Sequence, residues 1–488
     1  MKHLSHTVLA ALLCAALVSC AAEAPPTVST EAPDTSAAGT AVTEAETARM
    51  TVTPTSTDYD GYEFHIINFD NALQHAWVGI PNDIDVEEET GDVLNDAVYA
   101  RNRAVEEALN VTISVENVTA DVVTSKVRQS VMAGAEDYDL AFPQLLSWQA
   151  LISGQLVYDL YDLEALDFSM PWWDRNMMDE LTYHGHLFGA VSDITYIDKL
   201  SCFTVFFNKE MAQQYDVGNL YESVTEGSWT YERMLSLSSD ISADVDGNSV
   251  YDEKDKYGIC SQNDLLYITL HSAGISFCDN ENETIVFGLD GERALEVLGQ
   301  TFEIMNDTRT FFNRQAFNLS MNDAINMLMD DRTLFMIRPL QTVMNLRSMK
   351  ADFGVLPIPK YDEAQKNYNT ALNVWTSTIL TVPRDARELD RTADVINLLA
   401  CESYYTVIEP FYDLVLDSKL VRDDETAPML DIIFDSRFYD IGLICNFGSI
   451  FEALLARTND AAASVIEANR NKVMHAAEEF LDAIADYE

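Results

Sequence analysis

Basic residues are scarce in this chain of 488: 30 Lys and Arg stand against 80 Asp and Glu, a formal net charge of −50. Nucleic acids are gripped by clustered cations, so this balance excludes a phosphate-backbone partner. It also argues against capture of an anionic ligand by the bulk field, and it fits solubility and tolerance of cations outside the cell. Cysteine is sparse as well, seven in all with no CxxC pair, which excludes a disulfide scaffold. No GxSxG, HExxH, GxxxxGK or GxGxxG motif occurs, so the familiar sequence signs of a nucleophile elbow, a zinc protease, a phosphate loop and a dinucleotide fold are missing. Beyond the signal-like N-terminus no apolar run is long enough to span a bilayer.

What the N-terminus does carry is Lys2 and His3 before the apolar run Val8–Val18, which ends in Leu17-Val18-Ser19-Cys20. A positive end, a short apolar core and a small residue before the cleavage point make residues 1–19 a signal peptide. The pattern resembles bacterial lipoproteins, which implies that Cys20 receives the lipid, palmitate among its acyl chains, and becomes the first mature residue. Residues 20–58 are mostly Ala, Pro, Thr, Ser and Glu with little to bury, and the expectation is a disordered tether. Lipid and tether together hold a body near a membrane without inserting it. From Tyr59 about 430 residues remain, enough for two cores. Of the five cysteines left, Cys202 and Cys445 sit in apolar segments and read as buried thiols, and Cys260 with Cys278 is the pair a disulfide would join.

The body alternates strand-like and helix-like segments. YEFHIINF (62–69), VTISVEN (111–117) and YDLAFPQ (138–144) have strand composition, with helical patterns over 92–109 and 124–135 between them. Strands and helices at this spacing imply an α/β fold with a parallel sheet. Further landmarks are GQLVYDL (154–160), FFNKE (206–210), GSWTYERM (227–234), TLFMIRP (333–339) and DFGVLPIPK (352–360). In order and spacing these segments resemble the extracellular solute-binding proteins of bacterial ABC importers, in the family-1-like group that handles sugars and oligosaccharides.

That resemblance implies a two-lobed periplasmic-binding-protein-like fold of type II, with discontinuous lobes joined by a hinge. Lobe one would take 59–195 and 350–405, and lobe two 196–349 and the C-terminal helices 406–488. It further implies a small-molecule ligand, most simply a carbohydrate, delivered to an ABC permease from the outer face of the cell membrane. A sugar needs flat aromatic faces and polar groups that reach its hydroxyls. Loops at strand C-termini face the crevice of open α/β sheets, which selects Trp77, Trp148, Tyr196 and Trp375 as stacking candidates. Asp193 and Arg338 are the leading polar ones, with Asp70, Asn71 and Gln144 beside them. Trp229 reads instead as packing where a helix opens, and Trp172 and Trp173 fit either the lobe surface or the cleft.

One stretch reads as a metal loop without any resemblance. DVDGNSVYDEKD (244–255) puts Asp244, Asp246, Asn248, the Val250 carbonyl, Asp252 and Asp255 at positions 1, 3, 5, 7, 9 and 12 of a calcium loop. Ser249 departs from the pattern, and Asp255 is shorter than the usual Glu. A helix with Thr230 as its cap enters the loop, but DKYGICSQND offers none leaving it, so the reading is a structural calcium staple rather than a switch. His184 and His186 share a turn without an evident third ligand, which favours an ordinary polar turn over zinc. The reading is a binder and not an enzyme. A surface-anchored glycoside hydrolase with a carboxylate pair stays open as the alternative, because residue counting does not separate the two.

Overall fold

The computed structural model describes residues 49–75, 83–417, 425–456 and 462–487. The expected signal segment, Cys20, most of the tether and Trp77 lie outside these residues. Strand β1 (Tyr62–Phe69) follows a turn in which Asp60 and Gly61 both have positive φ, and it ends where Asp70 caps a short helix. The helix Val93–Leu109 opens on the Asp92 side chain, which accepts from Asn95 N, and closes on Asn110 in the left-handed region. Strands β2 (Val111–Val118) and β3 (Leu140–Phe142) flank β1 in the order β2-β1-β3, in the parallel sense that the alternating segments predict.

The second sheet is mixed. It comprises β4 (Phe203–Asn208), β5 (Tyr257–Ser261), β8 (Phe311–Asn313), β9 (Thr333–Pro339) and β10 (Phe353–Leu356), in the order β10-β4-β9-β5-β8. Because β4 runs antiparallel to β9 while β5 and β8 run parallel to it, the start of β4 and the C-terminal ends of β5, β8 and β9 share one edge. The hairpin β6 (Cys278–Asn280) and β7 (Ile285–Phe287) and the short pair β11 (Thr370–Ala371) and β12 (Arg437–Phe438) complete the strands.

Two crossings join the layers and bond to one another. Cys202 bridges Leu372, Asn373 N donates to the Ser201 carbonyl at 2.9 Å, and the Ser201 and Thr376 hydroxyls meet at 2.9 Å. After the second crossing the chain returns to the first sheet, where Thr378 bridges Gln144 and Thr381 bridges Ala141. One apolar cluster runs from Phe64 and Trp148 on the first side to Phe203 and Ile337 on the second.

The lobe limits need correction. Residues 353–356 form β10 against β4, so the second sheet extends past 350 and lobe one resumes only at the Leu372 crossing. The C-terminal helix Ala462–Ala485 serves both sides: Phe480 packs on Trp148 at 5.7 Å, and Arg470 pairs with Asp290. The body also begins before Tyr59, because Thr55 N, Ser56 N and the Tyr59 hydroxyl all donate to the Asp394 carboxylate. Nor do Cys260 and Cys278 form a disulfide. All five cysteines among the described residues are buried free thiols, and burial pushes Cys260 up to about 12.

Candidate functional site

The C-terminal edge of the first sheet and the shared edge of the second both meet the crossings. On the first edge, Asn71 Nδ2 donates to the Thr376 carbonyl at 2.8 Å and Gln144 Nε2 to the Trp375 carbonyl at 2.5 Å. Asp70, next to them, is occupied as the cap of the helix Asn71–Gln74, accepting from Ala72 N at 2.7 Å. Trp375 is thereby fixed at the crossing with its ring half-buried. Its centroid lies 6.1 Å from Tyr267 and 6.1 Å from Phe451, which are themselves 5.5 Å apart. Of the three stacking candidates among the described residues, Trp148, Tyr196 and Trp375, only Trp375 stands partly exposed.

Sequence reasoning missed the partners of Trp375. Tyr267 lies in the wholly buried helix Leu265–Ser272, which reads as core at any spacing. Phe451 enters from a helix nearly two hundred residues downstream. The second edge was also incompletely read. Gln262 follows β5, Arg314 follows β8, and Gln341 follows β9, so parallel strand ends bring together residues far apart in the chain. Arg338, on β9 opposite Thr204, donates from Nη1 to Gln262 Oε1 at 2.5 Å. Arg314 Nε reaches the same oxygen at 3.0 Å. Both amide atoms of Gln341 are buried and have no hydrogen-bond partner among the described residues, as expected of a side chain kept for a ligand.

Three other expected ligand residues sit inside the protein. Trp148 is fully buried against Phe480 of the C-terminal helix. Tyr196 stacks on Phe411 at 5.1 Å, and burial holds its hydroxyl well above the usual value. Asp193 accepts from Lys199 Nζ at 2.7 Å. Burial lowers the Lys199 pKa, but the Asp193 and Asp198 carboxylates outweigh that and hold the ammonium charged. Arg437 continues the group, 2.6 Å from Asp174 and 3.6 Å from Asp198. A carboxylate neutralised inside such a network braces the crossing and has little left for a sugar hydroxyl.

The remaining candidates fall out by contact. Trp229 is buried where its helix opens, with Nε1 on the Pro357 carbonyl at 2.9 Å, as expected. Trp172 and Trp173 are both buried, which places them in packing. His186 Nδ1 meets Asp159 at 2.7 Å in a turn where His184 has φ of 53°.

The acidic loop folds back on itself. Asp244 accepts from Gly247 N and Ser249 N, and buried Asp255 accepts from Val245 N and Asp252 N. One carboxylate oxygen from each of Asp244, Asp246 and Asp255 lies within 4.8 Å of the others, and the Asp252 carboxylate stands outside that group. Three carboxylates at that spacing repel, and a hard divalent cation among them would remove the cost. Thr230 caps the entering helix Tyr231–Ser238, and β5 follows the loop where the sequence offered no helix.

No family model and no curated protein matches the chain. Solved structures do. The GacH receptor of Streptomyces glaucescens, solved unliganded and with acarbose, aligns over 88% of this chain and 100% of its own at 13% identity and a TM-score of 0.52. A cyclo/maltodextrin-binding protein complexed with maltotetraose aligns over 88% and 99% at 12% identity and a TM-score of 0.54. The cyclic α-maltosyl-1,6-maltose-binding protein of Arthrobacter globiformis aligns over 86% and 100% at 12% identity and a TM-score of 0.57. The chain has the two-lobed fold of these binding proteins.

Proposed function

We propose that the protein is an extracellular solute-binding protein that captures a carbohydrate between its two lobes and delivers it to an ABC permease. The observation that carries this reading is the Trp375 ring, half-buried between Tyr267 and Phe451 at the convergence of two polar sheet edges. An aromatic face with amides beside it is what a pyranose needs, the face for its C–H side and the amides for its hydroxyls. The structural neighbours, named for acarbose, maltotetraose and cyclic maltosyl-maltose, support the same class. A ligand that touches both edges only when the lobes are together would drive closure about the bonded crossings. The protein acts as a binder without covalent chemistry.

In this reading Cys20 carries a lipid that holds the body at the outer face of the membrane. No helix among the described residues is long and apolar enough to cross a bilayer, which accords with such an arrangement. Asp244, Asp246 and Asp255 would bind calcium, with Asn248, the Val250 carbonyl and Asp252 completing the set. The ion would tie the exit of the helix Tyr231–Ser238 to β5 and would serve stability.

The test is calorimetric titration of the body from Met50 with neutral and acidic oligosaccharides, amino acids and peptides, with chromatography of the saccharides afterwards. Saturable binding of a saccharide recovered intact supports the reading. Cleavage would instead establish the glycoside hydrolase, and binding only of peptides or amino acids would overturn the carbohydrate assignment.

A further inference from the structure

The second edge of the cleft carries a local charge opposite to that of the whole protein. Arg314 and Arg338 come from neighbouring strand ends and place two guanidinium groups on one neutral acceptor, Gln262 Oε1, at 3.0 and 2.5 Å. The other end of that amide donates to Asp264. Asp264 is the carboxylate whose field both arginines feel, alongside the Cys260 thiol. Two guanidinium groups and the Asp264 carboxylate thus meet on one amide. Burial raises the Asp264 pKa against the opposing pull of the Gln262 amide and the two arginines.

The cluster lies on the strand ends that meet the crossing. Asp264 immediately precedes the helix whose Tyr267 contacts Trp375. Arg338 pairs with Thr204, two residues from the Cys202 crossing. Arg338 is buried and Arg314 half-buried, so Arg314 is the one that reaches solvent. Arg314 Nη1 holds the Leu319 carbonyl at 3.1 Å, and its Nη2 meets no acceptor among the described residues. A guanidinium at a partly dry site is stabilised by a carboxylate that joins it. Guanidinium groups favour carboxylates because their donors match the two oxygens.

We propose that the saccharide is acidic, a uronic acid or an oligosaccharide ending in one, with its carboxylate on Arg314 and the Arg338 charge behind it. This rests on the carbohydrate reading above. The net charge of −50 acts on such a ligand only at a distance, where salt screens it within about 8 Å. Contact with Arg314 is local and far less screened. Gln262, which now occupies both arginines, holds them in place for the carboxylate.

The experiment compares each acid with its neutral twin. Oligogalacturonides and oligoglucuronides are titrated into the body beside their methyl esters, with malto- and cello-oligosaccharides as the neutral series. The expected result is binding of an acid at least about tenfold tighter than its ester, weakened by raising NaCl from about 0.05 M to about 0.5 M. Arg314→Gln should bring acid and ester to equal affinity. If that variant does not fold, the ester and salt comparisons on the unaltered protein still decide. Equal affinity of acid and ester, or binding of the neutral series alone, overturns the acidic assignment and leaves the carbohydrate reading standing. Binding of no saccharide at all overturns both.

Discussion

Gln144 and Trp375, 231 residues apart, are tied by a 2.5 Å hydrogen bond from the Gln144 amide to the Trp375 carbonyl. The first sheet thereby fixes the aromatic residue that faces the second. A rigid platform loses little freedom when a ring stacks on it, so the ring's contact energy goes largely into affinity.

Gln341 should trade stability for binding. Its amide is buried with neither polar atom paired among the described residues, a state that costs about 1–3 kcal/mol. Gln341→Leu should raise the melting temperature of the ligand-free protein and weaken saccharide binding, read by differential scanning calorimetry and titration. A lower melting temperature would show that the amide is satisfied in the free protein.

Asp83 should give the fold a measurable pH dependence. Burial raises its pKa to about 6, against the pull of the Thr195 hydroxyl and Arg101. The folded value lies above the unfolded one, so the neutral acid is favoured in the fold. Its contribution is full below about pH 4 and is lost as pH rises through about 6. At pH 7 the charged form costs on the order of 3 kcal/mol. Asp83→Asn should therefore be more stable than the parent at pH 7 and flatten the stability profile between pH 4 and 6, as urea titrations would record.

The Asp174–Arg437–Asp198 group should behave as a brace. Replacing Arg437 with Met leaves the buried Asp174 carboxylate without its cation and Asp198 with Lys199 alone, a loss of about 3–5 kcal/mol. Chemical denaturation should show that drop. A change below 1 kcal/mol would mean water already reaches the pair.

Calcium should stabilise the acidic loop. The melting temperature should fall on chelation and recover with calcium, and Asp246→Asn should remove the response. Terbium offers a direct reading, because the Tyr257 hydroxyl bonds the Asp252 carbonyl at 2.9 Å and can sensitise its luminescence. No luminescence in the parent protein would dismiss the loop as a metal site.

What the sequence made legible was whatever local pattern determines. The β1, β2 and β3 strands, the Thr230 cap and the parallel sense of the first sheet follow from side-chain period and capping chemistry. Trp375 was legible because it lies on a polar return segment. Tyr267, Phe451, Gln262 and Arg314 were not, since their meeting depends on which strand ends share an edge. Trp148 and Tyr196 misled for the complementary reason: an aromatic after a strand looks the same whether its ring turns to the cleft or into the core. The β10 boundary was missed because DFGVLPIPK pairs with β4, a partner almost 150 residues earlier.

The most direct single test is calorimetric titration of the tightest saccharide into the parent and into Trp375→Ala. Stacking of a sugar face on a half-buried ring is worth about 1.5–3 kcal/mol, so affinity should fall roughly tenfold to hundredfold while the melting temperature moves by only a few degrees. Unchanged affinity in a folded Trp375→Ala protein would contradict the placement of the ligand between the two sheet edges.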